Sequence, residues 1–177
     1  MQKPQSIFLV GPMGAGKTTV GRQLAKCLNM DFADSDSEIE KRTGVDIPLI
    51  FELEGESGFR KRETAMIDSL TNQDTIVLAT GGGAVLSEQN RGYLVSRGTV
   101  IYLNTSIDQI MERTHRDSKR PLLQTDNPRG KLEELAAVRD PLYQSIADIT
   151  ISTESQKIRD VIKEICIKLD KSCESNL

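Results

Sequence analysis

The chain has 177 residues, 28% of them charged, and a formal net charge of −3. That length buries one sizeable core without disulfide staples, and the acidic balance excludes a broad basic face for nucleic acid or anionic lipid. A single histidine excludes a histidine-built metal centre, while Cys27, Cys166 and Cys173 lack a CxxC spacing and are expected as free thiols in a reducing compartment. No apolar run approaches the ~20 residues of a membrane span, and the first residues lack the apolar centre of a secretion signal, so a cytoplasmic chain is expected.

Ser6–Val10 is a short apolar run suited to a buried strand. Gly11–Thr18 follows as GPMGAGKT, which matches GxxxxGK[ST] at every specified position, and then comes a helical pattern with Val20, Leu24, Ala25 and Leu28 on one face. Phosphates need this order because glycines let successive backbone N–H groups converge on an anion and the next helix aims its positive end there. Lys17 adds a mobile charge for the terminal phosphates, and the Thr18 hydroxyl can ligate Mg²⁺. The segment predicts binding of a nucleoside triphosphate.

Asp31–Asp34 reads as a weak second strand. Asp34 and Asp36 after it point the same way if the chain stays extended, so one could hold a water of the Mg²⁺ shell and the other an attacking hydroxyl. A helix cap is the alternative, since a helix is expected to begin at Ser37 and stop at Gly44. Ile47–Leu70 is a longer helical region, broken near Gly55–Gly58. Thr75–Ala79 is a strong strand that runs into Thr80-Gly-Gly-Gly83, a second place where backbone can approach a ligand closely. A helix over Ser87–Arg97, a strand over Thr99–Leu103 and a helix over Ser106–His115 come next. Arg116–Lys131 has no period and contains Pro121, Pro128 and Gly130; a loop of that length in a compact domain is usually functional. Arg120 within it is the candidate for a lid cation that closes over the γ-phosphate and excludes water. A helix over Lys131–Arg139, a strand over Asp148–Ser152 and an amphipathic helix over Gln156–Leu169 complete the pattern.

Apolar runs alternating with helices predict one α/β domain over 1–177 with a five-stranded parallel sheet, and ligands outside the strands' carboxyl ends. An acidic substrate together with a nucleotide needs local cations; the candidates are Arg60, Arg62, Arg113, Arg116, Arg120 and Arg139.

In this order, GPMGAGKTT, the DSD pair with EIEKRTG behind it, FELEGESGFRKRE, LATGGGAV, KRPLL and VRDPLYQSIAD resemble the shikimate kinase family, small P-loop kinases related to nucleoside monophosphate kinases. The likeness spans Ile7 to Leu169. It implies a three-layer α/β/α sandwich with sheet order 2-3-1-4-5, a mobile lid at about 116–131 and a substrate-binding helical segment at about 36–63. It also implies ATP-dependent phosphorylation of the 3-hydroxyl of shikimate, giving 3-phosphoshikimate and ADP on the route to aromatic amino acids. By the same resemblance Gly14, Ala15, Gly16, Lys17, Thr18 and Thr19 hold the ATP phosphates and Thr18 ligates Mg²⁺, with Asp34 as partner to a metal-bound water. Asp36 meets the ring hydroxyls and orients the one attacked. Arg60, Arg139 and the Gly82 backbone N–H hold the substrate carboxylate, with Glu63 bracing Arg60. Arg120 is the lid arginine, and Arg113 and Gln156 lie near the adenine. ATP, Mg²⁺ and a small-molecule substrate are the implied ligands, and a monomer without nucleic-acid or membrane partners is expected. A kinase of another hydroxy acid such as gluconate, a nucleoside monophosphate kinase, and a nucleotide-gated binding protein are the competing readings. Scarce aromatics and no Trp disfavour stacking of a second base.

Overall fold

The computed structural model describes residues 6–115 and 125–172. Strands β1 (Ile7–Val10), β2 (Asp31–Asp34), β3 (Ile76–Ala79), β4 (Thr99–Asn104) and β5 (Ile149–Ser152) form one parallel sheet in the order β2-β3-β1-β4-β5. Each strand end stands within one residue of its expected position. The inner strands carry the longest apolar runs because both of their faces are covered; IFLV and IVLA are buried throughout. The edge strands, DFAD and ITIS, leave polar side chains towards solvent.

The helices are α1 (Lys17–Leu28), α2 (Ser35–Thr43), α3 (Ile47–Thr71), α4 (Glu88–Arg97), α5 (Ile107–Thr114), α6 (Pro128–Ile146) and α7 (Ile158–Lys168), with a 3₁₀ turn at Ala84–Leu86. Strand alternation sorts the core into two clusters. Phe8, Val10, Leu78 and Tyr102 pack with Ile39, Ile67, Leu94 and Tyr143, which come from α2, α3, α4 and α6. Ile7, Leu9, Val77 and Ile101 pack on the opposite face with Leu24 of α1 and Val161, Ile162 and Ile165 of α7. The result is the expected three-layer sandwich. No helix among the described residues is long and apolar enough to cross a membrane.

Five details differ from the expectations, one being that α7 starts at Ile158 rather than Gln156. Helix α2 starts at Ser35 rather than Ser37, because Asp34 and not Ser37 is its cap: the Asp34 carboxylate accepts from the backbone N–H groups of Asp36 and Ser37. The aperiodic stretch ends sooner than 131, since Pro128 fits the first turn of α6 and the Asn127 side chain accepts from Gly130 N–H. The same helix continues through Pro141 to Ile146 rather than stopping at Arg139. Pro141 forfeits one backbone bond, and burial of Tyr143 and Ile146 in the core offsets that loss. Cys166 has the expected free thiol, whereas Cys27 is disulfide-bonded; sequence spacing carries no information on pairings made across a fold. The break foreseen in α3 is present at Gly55, with φ 70° and ψ 179°.

Candidate active site

Register fixes the site before any side chain enters it. Leu9 of β1 stands level with Ala79 of β3, and both the N–H and the hydroxyl of Thr80 donate to the Leu9 carbonyl, at 3.1 and 3.0 Å. The glycine-rich loop after β1 and the glycine run after β3 therefore leave the sheet side by side at its carboxyl edge.

In the first loop, Gly16 is the N-cap of α1 with φ 90°, a left-handed conformation that a side chain would strain. It turns the chain so that the first-turn amides of α1 face the mouth. The buried Lys17 ammonium donates to the carbonyls of Gly11 and Pro12, both at 2.8 Å. Arg113 of α5 reaches back to the loop, donating to Gly14 O at 2.9 Å and to Thr153 O at 2.8 Å. The buried Thr153 hydroxyl donates in turn to Ala15 O at 3.0 Å, tying the loop after β5 to the phosphate cradle. Gln156 lies exposed on that same β5–α7 connection.

Asp34 divides its two carboxylate oxygens. One accepts the Thr18 hydroxyl at 2.6 Å, and the other caps α2 at 3.1 Å from each of two amides. The cap places Asp36 in the first turn of α2, so the cap alternative weighed for the DSD pair is realised by Asp34. Thr18 and Asp34 together form a pair of hard oxygen donors of the type that suits Mg²⁺. The described residues contain no cluster of three or more His, Cys, Asp or Glu able to hold a metal, so an ion here would lean on nucleotide phosphates and water.

The second loop explains its own composition. A Cβ at Gly81 would stand 2.8 Å from Asp36 Oδ1 and 3.0 Å from Glu63 Oε2. At Gly82 it would stand 3.6 Å from an Arg139 guanidinium nitrogen, and at Gly83 it would overlap the Arg60 guanidinium. At Gly81 and Gly83 the missing side chain is space occupied by charged groups, while at Gly82 the Arg139 guanidinium stands at ordinary contact distance. Ser35 Oγ accepts the Gly81 N–H at 3.0 Å, and the Tyr143 hydroxyl donates to Gly82 O at 2.5 Å.

Arg60 and Glu63, one turn apart on α3, form an ion pair at 2.8 Å in which the Glu63 side chain is 1% exposed. Burial raises the Glu63 carboxyl above its ordinary range despite the opposing pull of Arg60 and Arg139. Asp36 is pushed up to about 7, first by burial and then by Glu63 and Asp34, against the pull of Lys17 and Arg60. Asp36 Oδ1, Glu63 Oε2 and Arg60 Nε are buried without a hydrogen-bond partner, a combination that sites awaiting a ligand tolerate and cores do not. Beside Arg139 opens a cavity of about 230 Å³ walled by Pro12, Met13, Ile110, Leu132 and Tyr143.

Of the predicted residues, Lys17, Thr18, Asp36, Arg60, Gly82 and Arg139 stand at one mouth, with Arg113 against the loop after β1. Arg62 instead pairs with Glu54 on the surface, and Arg116 and Arg120 lie outside the described residues. Ser35 and Thr153 lie after β2 and β5, at the strand ends where ligands were expected, whereas Tyr143 was missed although it stands four residues after Arg139 on a helix and so on the same face.

A phosphate cradle at the exit of β1 and a buried acid beside two arginines define a P-loop phosphotransferase acting on a small acceptor. The family model for shikimate kinase matches residues 13–170. Among similar proteins, the shikimate kinase of Methylococcus capsulatus is 56% identical over 97% of this chain and 96% of its own length, and that of Haemophilus influenzae is 58% identical over 96% and 95%. A solved structure of shikimate kinase from Acinetobacter baumannii in complex with shikimate superposes with a TM-score of 0.91 at 52% identity, covering 94% of each chain. The chain belongs to the shikimate kinase family.

Proposed function

We propose that this chain transfers the γ-phosphoryl group of ATP to the 3-hydroxyl of shikimate, giving 3-phosphoshikimate and ADP. The convergence of Asp36, Arg60 and Arg139 on the Gly81–Gly83 turn, next to the phosphate cradle, carries this reading. A guanidinium fork matches a planar carboxylate, and two of them with the Gly82 N–H account for an acidic acceptor.

In this mechanism the amides of residues 14–19 and the Lys17 ammonium bind the ATP phosphates. Lys17 exchanges the carbonyls of Gly11 and Pro12 for phosphate oxygens. Thr18 would ligate Mg²⁺ with Asp34 behind it, and the ion would supply charge neutralisation at the phosphates. Arg113 and Gln156 flank the adenine. Arg60 and Arg139 orient the acceptor through its carboxylate, so that Asp36 accepts the hydrogen bond of the attacked hydroxyl. The hydroxyl oxygen forms a bond to phosphorus, the bond from phosphorus to the bridging oxygen breaks with its electron pair leaving on ADP, and the proton passes to Asp36 and then to solvent. The transition state is loose, so positioning and charge neutralisation supply most of the acceleration. Arg120, outside the described residues, completes the charge balance from the lid at about 116–131, and the segment at about 36–63 carries the acceptor site. The single domain works as a cytoplasmic monomer on small molecules; its net charge of −3 gives no footing for nucleic acid or membrane.

ADP release measured with shikimate, gluconate and several nucleoside monophosphates, each with and without Mg²⁺, tests the assignment. Turnover of shikimate alone, dependent on Mg²⁺, is expected; preference for gluconate or a nucleotide would overturn it. A Gly83→Ala change examines the arginine clamp. Gly83 has φ −90° and ψ 0°, which alanine adopts freely, so the added methyl acts by displacing Arg60. The KM for shikimate is expected to rise about 10-fold, the loss of roughly one charge-assisted hydrogen bond, with thermal stability little changed.

A further inference from the structure

Three glycines in succession form a floor that could rotate freely, yet each part of it is held. The turn closes through Ala84 N–H to Gly81 O at 3.1 Å, and Ser35 holds the Gly81 N–H. Beyond these, Asn90 of α4 donates to Ala84 O at 2.9 Å. The Gly82 carbonyl is held by Tyr143 alone among the described residues, and the Gly82 N–H donates to none of them.

Tyr143 is itself rigid. It is 1% exposed, and its ring stacks on Tyr102 of β4 with centroids 5.1 Å apart and planes at 28°. Burial holds its phenol above the ordinary range, so it remains a donor, and the Arg139 guanidinium lies beside the same hydroxyl. Arg139 and Tyr143 are four residues apart on α6 and meet the glycine turn together.

We infer that the Tyr143 hydroxyl is a positioning group for the acceptor site: by fixing the Gly82 carbonyl it pins the Gly82–Gly83 peptide and with it the Gly82 Cα. Ala84 N–H holds the Gly81 carbonyl, whose peptide carries the Gly82 N–H, so that this N–H meets the substrate carboxylate at a set spacing from Arg139. This rests on the proposed clamp, in which Gly82 and Arg139 bind the same carboxylate. Helix α6 then supplies both elements from one rigid body, one directly and one through the backbone of another loop.

The test is Tyr143→Phe, which keeps the ring and its stack, alongside Tyr102→Phe, which removes a hydroxyl from the same cluster without touching Gly82. For Y143F the KM for shikimate is expected to rise about 3- to 10-fold, with kcat and the KM for ATP within twofold of the unsubstituted enzyme and a cooperative melt. Y102F is expected to leave both KM values within twofold. An unmoved shikimate KM in Y143F, a parallel rise in both KM values, or loss of the cooperative melt would each assign the hydroxyl to packing and overturn the inference. Failure of the clamp itself is distinguishable, because Arg139→Ala would then leave the affinity for shikimate unchanged.

Discussion

Asp36→Asn is expected to lower kcat by about 10²- to 10⁴-fold, the range of a lost general base, while ATP binding survives. Asparagine keeps the shape and accepts a hydrogen bond through its oxygen, but it cannot take the proton of the attacked hydroxyl. The same change is expected to stabilise the folded chain. Asp36 titrates at about 7 in the fold against 3.8 for the ordinary side chain. Its raised value means that the fold disfavours the ionised form. The cost is absent below about pH 3.8, grows as the pH rises towards 7, and is complete above it. At pH 8 the variant is therefore expected to gain roughly 2–4 kcal/mol and to melt at a higher temperature. In the unsubstituted enzyme kcat/KM for shikimate should fall as the pH drops through about 7, because protonation removes the acceptor. Near-normal turnover in the variant, or a flat acid limb in the unsubstituted enzyme, would remove Asp36 from this role.

Arg139→Ala should cost the acceptor roughly 2–4 kcal/mol of binding, a rise of about 30- to 1,000-fold in the dissociation constant for shikimate by calorimetry. Arg139 is 7% exposed, so its charge acts in a medium that screens it poorly. Its loss also strips Glu63 of one of the two cations that oppose its protonation. The Glu63 carboxyl should rise further, and the pairing that aims Arg60 should weaken with it. Affinity for ATP, held at the other loop, should change little. Unchanged affinity for shikimate would dissolve the clamp.

The parts of this architecture that obey local rules were legible in the sequence. Runs such as IFLV and IVLA are strands because only buried inner strands are apolar on both faces, and Gly44, Gly55 and Gly98 mark helix ends or a break. The parallel α/β pattern put the residues after β1, β2 and β3 at one edge, so Thr18, Asp36 and the Thr80–Gly83 run could be named from the motifs, and Gly82 within it from the resemblance. What was not legible depends on approach between distant segments. That Gly81 and Gly83 make room for Asp36, Glu63 and Arg60 follows from sheet order and helix packing, which no spacing in the chain encodes. The start of α2 was misjudged because Ser37 and Asp34 are both good caps, and only the extended end of β2 decides between them. The Tyr143 hydroxyl acquires a purpose only once α6 is seen crossing the Gly82 carbonyl. The disulfide at Cys27 had no local signature either.

The Asp34 carboxylate grips the hydroxyl of the P-loop threonine with one oxygen and anchors the helix bearing Asp36 with the other. Neither corner can drift by more than the slack of a hydrogen bond without dragging its neighbour. In the proposed reaction, this one side chain would be a strut common to the phosphoryl-donor and alcohol sides.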